Sequence, residues 1–114
     1  MRLKYMWKNE CMADIDVDVL NNKVLVINYT PDPLNRPFGL NESPTMADFE
    51  RFIENRCFPK ARANCEQLLD DFGLDHYDPL AIIKHTRGRQ WDDYNWILFD
   101  GEVLDYERDV KLRD

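Results

Sequence analysis

Residues Cys11 to Val19 alternate with a period of two. Ala13, Ile15, Val17 and Val19 fall on one side, and Asp14, Asp16 and Asp18 on the other. A helix would scatter both sets around its surface, whereas a strand sends successive side chains to opposite faces. The segment therefore predicts a strand with one buried face and one carboxylate-lined face in solvent. Asn21-Asn22 reads as a tight turn, because asparagine tolerates positive φ. Lys23 to Thr30 is rich in β-branched residues and forms the return strand. Leu3 to Lys8 supplies a third strand, with a turn at Lys8-Asn9-Glu10. The first third of the chain is thus an antiparallel β-meander.

Four of the six prolines fall between Pro31 and Pro44, at positions 31, 33, 37 and 44, together with Gly39. Proline removes an amide donor and interrupts both helix and ladder, so this stretch is a connector. Helices follow. Ser43 with Pro44, or Thr45-x-x-Asp48, offers a helix start. Met46, Phe49, Phe52, Ile53 and Cys57 make one apolar stripe. After a break at Phe58-Pro59, a second helix is predicted from Pro59 to Phe72. Its buried face is Ala61, Cys65, Leu68, Leu69 and Phe72, and Gly73 stops it. Asp78-Pro79 opens a short third helix packed by Leu80, Ile82 and Ile83 and ended by Gly88. Tyr94 to Phe99 is a strand with Trp96 and Leu98 on one face, and Asp100-Gly101 is a turn. Val103 to Leu112 reads as a short strand or frayed helix. The order of elements predicts an α+β fold in one domain over residues 1–114: an N-terminal meander, three short helices, and a C-terminal strand returning to the sheet.

A chain of 114 residues can bury a core without a covalent staple. Its 15 Lys and Arg face 22 Asp and Glu, for a net charge of −7, which disfavours neutralising nucleic-acid phosphates as the main task. No apolar run reaches the roughly 20 residues of a membrane span, and the first residues carry no apolar leader segment. The three cysteines, Cys11, Cys57 and Cys65, show no CxxC spacing, which points to a reducing cytoplasm rather than a disulfide framework or a zinc site.

Chemistry-bearing patterns are sparse. Asp14-Ile15-Asp16-Val17-Asp18 resembles the opening of a calcium loop. However, Val19 stands where the glycine of the turn is needed, and Leu25 where the bidentate glutamate is needed. His76 and His85 have no third ligand at metal spacing. Cys65 with a histidine is a conceivable nucleophile pair, but Cys65 lies on an apolar stripe, where cysteine acts as a small hydrophobe. Glu50 with Glu54, Asp70 with Asp71 and Asp92 with Asp93 read as solvated surface. The four scattered glycines form no phosphate loop. The expectation is a protein without catalysis, cofactor or metal.

Two basic clusters break the acidic background. Lys84, Arg87 and Arg89 lie at the end of the third helix; a phosphate or acidic-partner contact is one reading, and Lys84 and Arg87 also fit cations that offset the helix dipole. Arg51, Arg56, Lys60 and Arg62 surround the first break between helices. There Arg56 and Arg62 bracket Pro59, with Asp93 as a candidate carboxylate for them to clamp.

The run Arg56-Cys57-Phe58-Pro59-Lys60-Ala61-Arg62 is followed by Leu68-Leu69, Phe72-Gly73-Leu74, Asp78-Pro79-Leu80, Ile82-Ile83-Lys84, Gly88-Arg89 and Asp93-Tyr94-Asn95-Trp96-Ile97. This resembles a segment found beside or N-terminal to HipA-like serine/threonine kinases in bacteria, over residues 49–98. No kinase machinery is present in the chain, so the resemblance implies an accessory module that binds such a kinase in a toxin–antitoxin setting.

The function expected is protein interaction in the cytoplasm, away from nucleic acid and membrane. Arg56 and Arg62 are candidate partner contacts. Trp7, Tyr29, Phe38, Trp91 and Tyr94 are candidate aromatic anchors, because interface centres favour Trp, Tyr and Arg. Two alternatives use other residues. One is an acidic phage-type inhibitor of a nucleic-acid-binding protein, acting through Asp14, Asp16 and Asp18. The other is a helix-turn-helix regulator whose third helix reads DNA.

Overall fold

The computed structural model of the protein describes residues 1–111. Four strands, β1 (Arg2–Trp7), β2 (Glu10–Asp18), β3 (Lys23–Asn28) and β4 (Asn95–Phe99), form an antiparallel sheet in the order β3-β2-β1-β4. Three helices, α1 (Met46–Asn55), α2 (Cys65–Asp71) and α3 (Pro79–Thr86), lie between β3 and β4 in sequence. The α+β class, the meander and the returning C-terminal strand agree with the sequence reading.

The alternation in β2 sorts its side chains. Ala13, Ile15 and Val17 are buried with Leu3 and Tyr5 of β1 against Phe49, Phe52 and Ile53 of α1 and Ile83 of α3. Asp14, Asp16 and Asp18 point to the opposite face. The register places Lys4 across from Asp14 and Arg2 across from Asp16. Val19 departs from the expected buried face. It follows the last strand residue, accepts the Asn22 amide from its carbonyl, and is exposed. The chain has turned before Val19 can share the face of Val17.

Thr45 caps α1 and is joined to Asp48 in a reciprocal capping box, so the start lies at Thr45 rather than Ser43. The second helix is shorter than expected. Residues 59–64 form successive turns, in which the Arg62 amide donates to the Pro59 carbonyl and the Cys65 amide to the Arg62 carbonyl. Ala61 is exposed rather than buried. Between Phe58 and Cys65 no large apolar side chain is available to dock, and a helical turn with nothing to bury does not offset its nucleation cost. Cys65 and Leu69 of α2 pack on Ile82 of α3 in a separate small cluster with Phe58, Phe72 and Tyr77 around it.

Asp78 caps α3, with Pro79 at its first position. The end falls one residue before Gly88. Arg87 itself takes the left-handed conformation, at φ 59°, and donates its amide to the Ile83 carbonyl. Gly88 follows at φ 65°, and a Cβ there would meet Ile97 Cδ1 at 3.0 Å. The segment is therefore held to glycine both by its backbone and by the approach of β4.

Beyond β4, residues Tyr106–Val110 form a single π-helical turn, in place of the short strand or frayed helix expected over Val103 to Leu112. The Lys111 amide donates to the Tyr106 carbonyl at 2.8 Å. Tyr106 and Val110 cover Met6 and Trp96 on the sheet face opposite the helices. Leu112 lies outside the described residues.

Two carboxylates, Glu102 beyond β4 and Asp48 at the start of α1, carry a pH dependence. Glu102 sits below its usual pKa because the Arg87 guanidinium donates to it at 2.8 and 2.5 Å. Burial opposes this, and the Phe99 amide assists it. Asp48 is lowered by the Thr45 amide and hydroxyl. A carboxylate with a lowered folded-state value stabilises fully above the ordinary range and loses that contribution as the pH falls through the folded value. Resistance to urea is thus expected to drop below about pH 4. Glu102→Gln should remove part of that drop in melts at neutral and acidic pH. An unchanged acid slope in this variant would exclude Glu102 as a source of it.

Candidate interaction site

Arg56 closes α1 and is 7% exposed. Its guanidinium grips both oxygens of Asp93, with Nη1 to Oδ2 at 2.8 Å and Nη2 to Oδ1 at 3.0 Å. Nε donates to the Gly88 carbonyl at 2.8 Å, and Nη2 also donates to the Asn95 carbonyl at 3.0 Å. The group lies over the Tyr5 ring, 5.6 Å from its centroid. Burial works against its charge, but the Asp93 hydrogen bonds, with Tyr5 and Asp93 charge, hold its pKa above the usual value. Arg56 therefore joins the end of α1, the α3–β4 loop and the start of β4. It is committed inside the protein, and Arg62 takes no part in the clamp.

Beside this clamp lies an open cleft of about 340 Å³. Cys57, Phe58 and Pro59 form one wall, and Arg89, Gln90 and Trp91 the other, with Arg62 at its side. The walls are fixed by backbone contacts. Tyr77 Oη donates to the Phe58 carbonyl at 2.7 Å, Arg89 Nε to the Thr86 carbonyl at 2.7 Å, and Gln90 Nε2 to the Asn55 carbonyl. Arg62 is exposed, and its side chain has no hydrogen bond or ion pair among the described residues. Trp91 is 64% exposed. Burial, with Arg87 nearby, lowers the pKa of Arg89, and an arginine so placed still carries its charge at neutral pH. The cleft thus presents two cations and a large aromatic surface on a chain of net charge −7.

The remaining anchor candidates are dispersed. Tyr94 is exposed and lines a shallow continuation of the cleft with Trp91. Trp7 is half-buried and meets Tyr94 edge to face at 6.1 Å, with Lys8 Nζ within 4.9 and 4.7 Å of the two rings. Tyr29 is exposed at the end of β3 and donates its hydroxyl to Asp14. Phe38 packs on Phe52 at 5.5 Å at the core's margin, so it serves the fold rather than an outward surface.

The acidic face is largely engaged already. Lys4 Nζ lies 2.6 Å from Asp14, Arg2 Nε 3.6 Å from Asp16, and Asn21 donates to Asp18 at 2.7 Å. In α3, Ile82 and Ile83 are fully buried at the centre of the helix that would read DNA, and Arg87 is spent on Glu102. Burial pushes the Cys57 thiol up to about 12, with Glu54 and Asp78 adding to the effect, so it stays protonated. Cys65 is buried in the α2–α3 cluster, and His85 stacks on Phe72 at 4.7 Å. Among the described residues no cysteine is hydrogen-bonded to a histidine, and no His, Cys, Asp and Glu side chains gather as a metal site. No helix is long and apolar enough to cross a membrane.

Sequence reasoning found Arg62 and Trp91 but did not join them. It placed Arg89 in the basic cluster at the end of α3, whereas Arg89 also lines the cleft while its guanidinium donates to the Thr86 and Val110 carbonyls. Arg87, which precedes Arg89 in the turn, takes the left-handed conformation at φ 59°, and no local signal marks a non-glycine residue for that conformation. No family model, curated protein or solved structure matches the chain.

Proposed function

We propose that this chain is a non-catalytic interaction module of the cytoplasm. Its cleft takes an acidic segment of a partner protein, and the partner is a HipA-like kinase of a toxin–antitoxin system. The observation that carries the binding reading is the unpaired Arg62 beside exposed Trp91 on a wall braced by the Arg56–Asp93 clamp. Tryptophan and arginine dominate binding energy where they meet in a rigid, partly enclosed site. A guanidinium without an internal partner supplies the directional donors for a carboxylate. The kinase assignment rests on the resemblance of residues 49–98, whose framework residues Arg56, Gly88, Asp93 and Asn95 converge on one bonded cluster beside the cleft.

The test is capture from the native host at low and high salt, followed by titration of the purified kinase. Recovery of a HipA-like kinase is expected, with binding weakened by salt. Trp91→Ala is expected to reduce affinity by more than about 1 kcal/mol, and Arg62→Glu by a similar amount, with unfolding midpoints unchanged. Both side chains are exposed, and the unfolding midpoint of each variant separates a lost contact from a folding defect. Equal affinity in both variants would overturn the cleft assignment, and absence of any such kinase would overturn the partner.

A further inference from the structure

We propose that two copies of this chain pair through β3, in antiparallel fashion about a two-fold axis at Val26, doubling the four-stranded sheet. β3 is the end of the sheet and pairs with β2 alone. The Tyr29 amide donates to the Met12 carbonyl at 2.8 Å, which fixes the ladder's alternation. Counting back by twos, Ile27, Leu25 and Lys23 aim their backbone groups at β2, and Asn28, Val26 and Val24 aim theirs outward. The outward groups of these three residues have no hydrogen bond to the rest of the described chain.

The side chains agree. An edge strand is ordinarily blunted by charge, proline or a bulge. β3 has none of these beyond Lys23 at its first position, and its pairing with β2 is regular. Val24 and Val26 face the helices, while Leu25 and Ile27 stand 65% and 59% exposed on the other face. Both faces of the strand are thus apolar, so a strand added at this edge finds apolar neighbours for its side chains on either face.

The strand's own sequence selects a second copy as the occupant. With the axis at Val26, Val26 meets Val26 of the partner subunit, and Val24 meets the partner's Asn28, and the reverse. These are the outward-facing residues, so each pair can exchange two backbone bonds. Leu25 then lies opposite the partner's Ile27 in the closer, non-bonded pairing, where apolar side chains interact best. Lys23 of each copy falls opposite the partner's Tyr29, at opposite ends of the ladder, so no like charges meet. A shift by one residue would break both the bonding and the facing.

Sedimentation of the full chain over about a hundredfold range of concentration tests this. A monomer–dimer equilibrium is expected. It should tighten with added salt, because each copy carries a net charge of −7 that repels the other. That salt response is opposite to the one expected of the cleft, so the two sites fail separately. Leu25→Lys and Ile27→Lys, both at exposed positions, are expected to weaken the dimer by at least about tenfold. Hydrogen exchange should show amides 24, 26 and 28 slowing as concentration rises. A chain that stays monomeric at every concentration and salt overturns the proposal. So does a dimer that both variants form unchanged, or one that leaves those amides unprotected.

Discussion

Arg56→Leu is expected to destabilise the protein by about 3 kcal/mol at neutral pH, the scale of breaking one side of a buried ion pair. The charge itself is the smaller part of that loss. Asp93 keeps about a third of its side chain in water, at 31% exposure, and rehydrates once its partner is gone. The carbonyls of Gly88 and Asn95 lose donors in a region the leucine leaves dry, and each unmet buried acceptor costs about 1–3 kcal/mol. Arg56→Lys should recover little, because an ammonium on a flexible stem cannot reach two carbonyls and a carboxylate in one plane. Asp93→Asn should cost about 1 kcal/mol, since one acceptor oxygen remains. Urea unfolding of the three variants checks the order. An Arg56→Leu protein within about 1 kcal/mol of the parent would show that the clamp is incidental to the fold. Because Asp93 does not line the cleft and asparagine keeps one acceptor oxygen for Arg56, Asp93→Asn is also expected to leave partner affinity intact.

The part of the fold set by local pattern was legible in the sequence. The alternation of Ala13, Ile15 and Val17 against three aspartates admits one reading, because a shift of one residue would bury the carboxylates. Thr45 and Asp48, and Asp78 with Pro79, name their helix starts through caps that act within four residues. The errors fall where the deciding partner is distant. Residues 59–64 look helical by composition, but helix formation there depends on a face to bury, and none is supplied. The return of β4 to the sheet was expected, but its neighbour β1 was not named, because that choice depends on a crossover through all three helices. The turn at Tyr106–Val110 packs on Trp96 and on Met6 of β1, partners that local pattern does not name.

The candidate site divides in the same way. Arg56 with Asp93 was legible, because a fork and a carboxylate near a rigid proline have few other uses in so small a chain. Arg62 was legible as a residue of interest but not as an unpaired one, since pairing is a property of the assembled surface. The exposed apolar face of β3 went unread, although its signal was present. Lys23 to Asn28 carries apolar residues at Val24, Leu25, Val26 and Ile27 without alternation, which puts apolar side chains on both faces of the strand.

Trp96→Ala is expected to have the largest effect of any single truncation, about 3–5 kcal/mol. Trp96 is fully buried, between Met6 of β1 and the Tyr106–Val110 turn, and its Nε1 donates to the Lys8 carbonyl at 2.7 Å. Truncation opens a cavity the size of an indole, and it leaves the Lys8 carbonyl without that donor. The indole is the largest side chain beneath the π-turn, which otherwise rests on Met6, Leu98 and Leu104, so the turn's amides should exchange faster than those of β2 once the indole is gone. Trp96→Phe keeps most of the apolar surface and loses the N–H, which sets its expected cost at about 1–2 kcal/mol. The difference between the two variants therefore separates packing from hydrogen bonding at this position. If Trp96→Ala does not fold, Val110→Ala probes the same cluster from the other side. It removes a smaller buried side chain and should cost less, with the same local speeding of exchange around residues 105–111. A stable Trp96→Ala protein with unaltered exchange there would mean that the turn holds the sheet by its backbone alone, through contacts such as Tyr106 N–H to Asn9 Oδ1 at 2.8 Å.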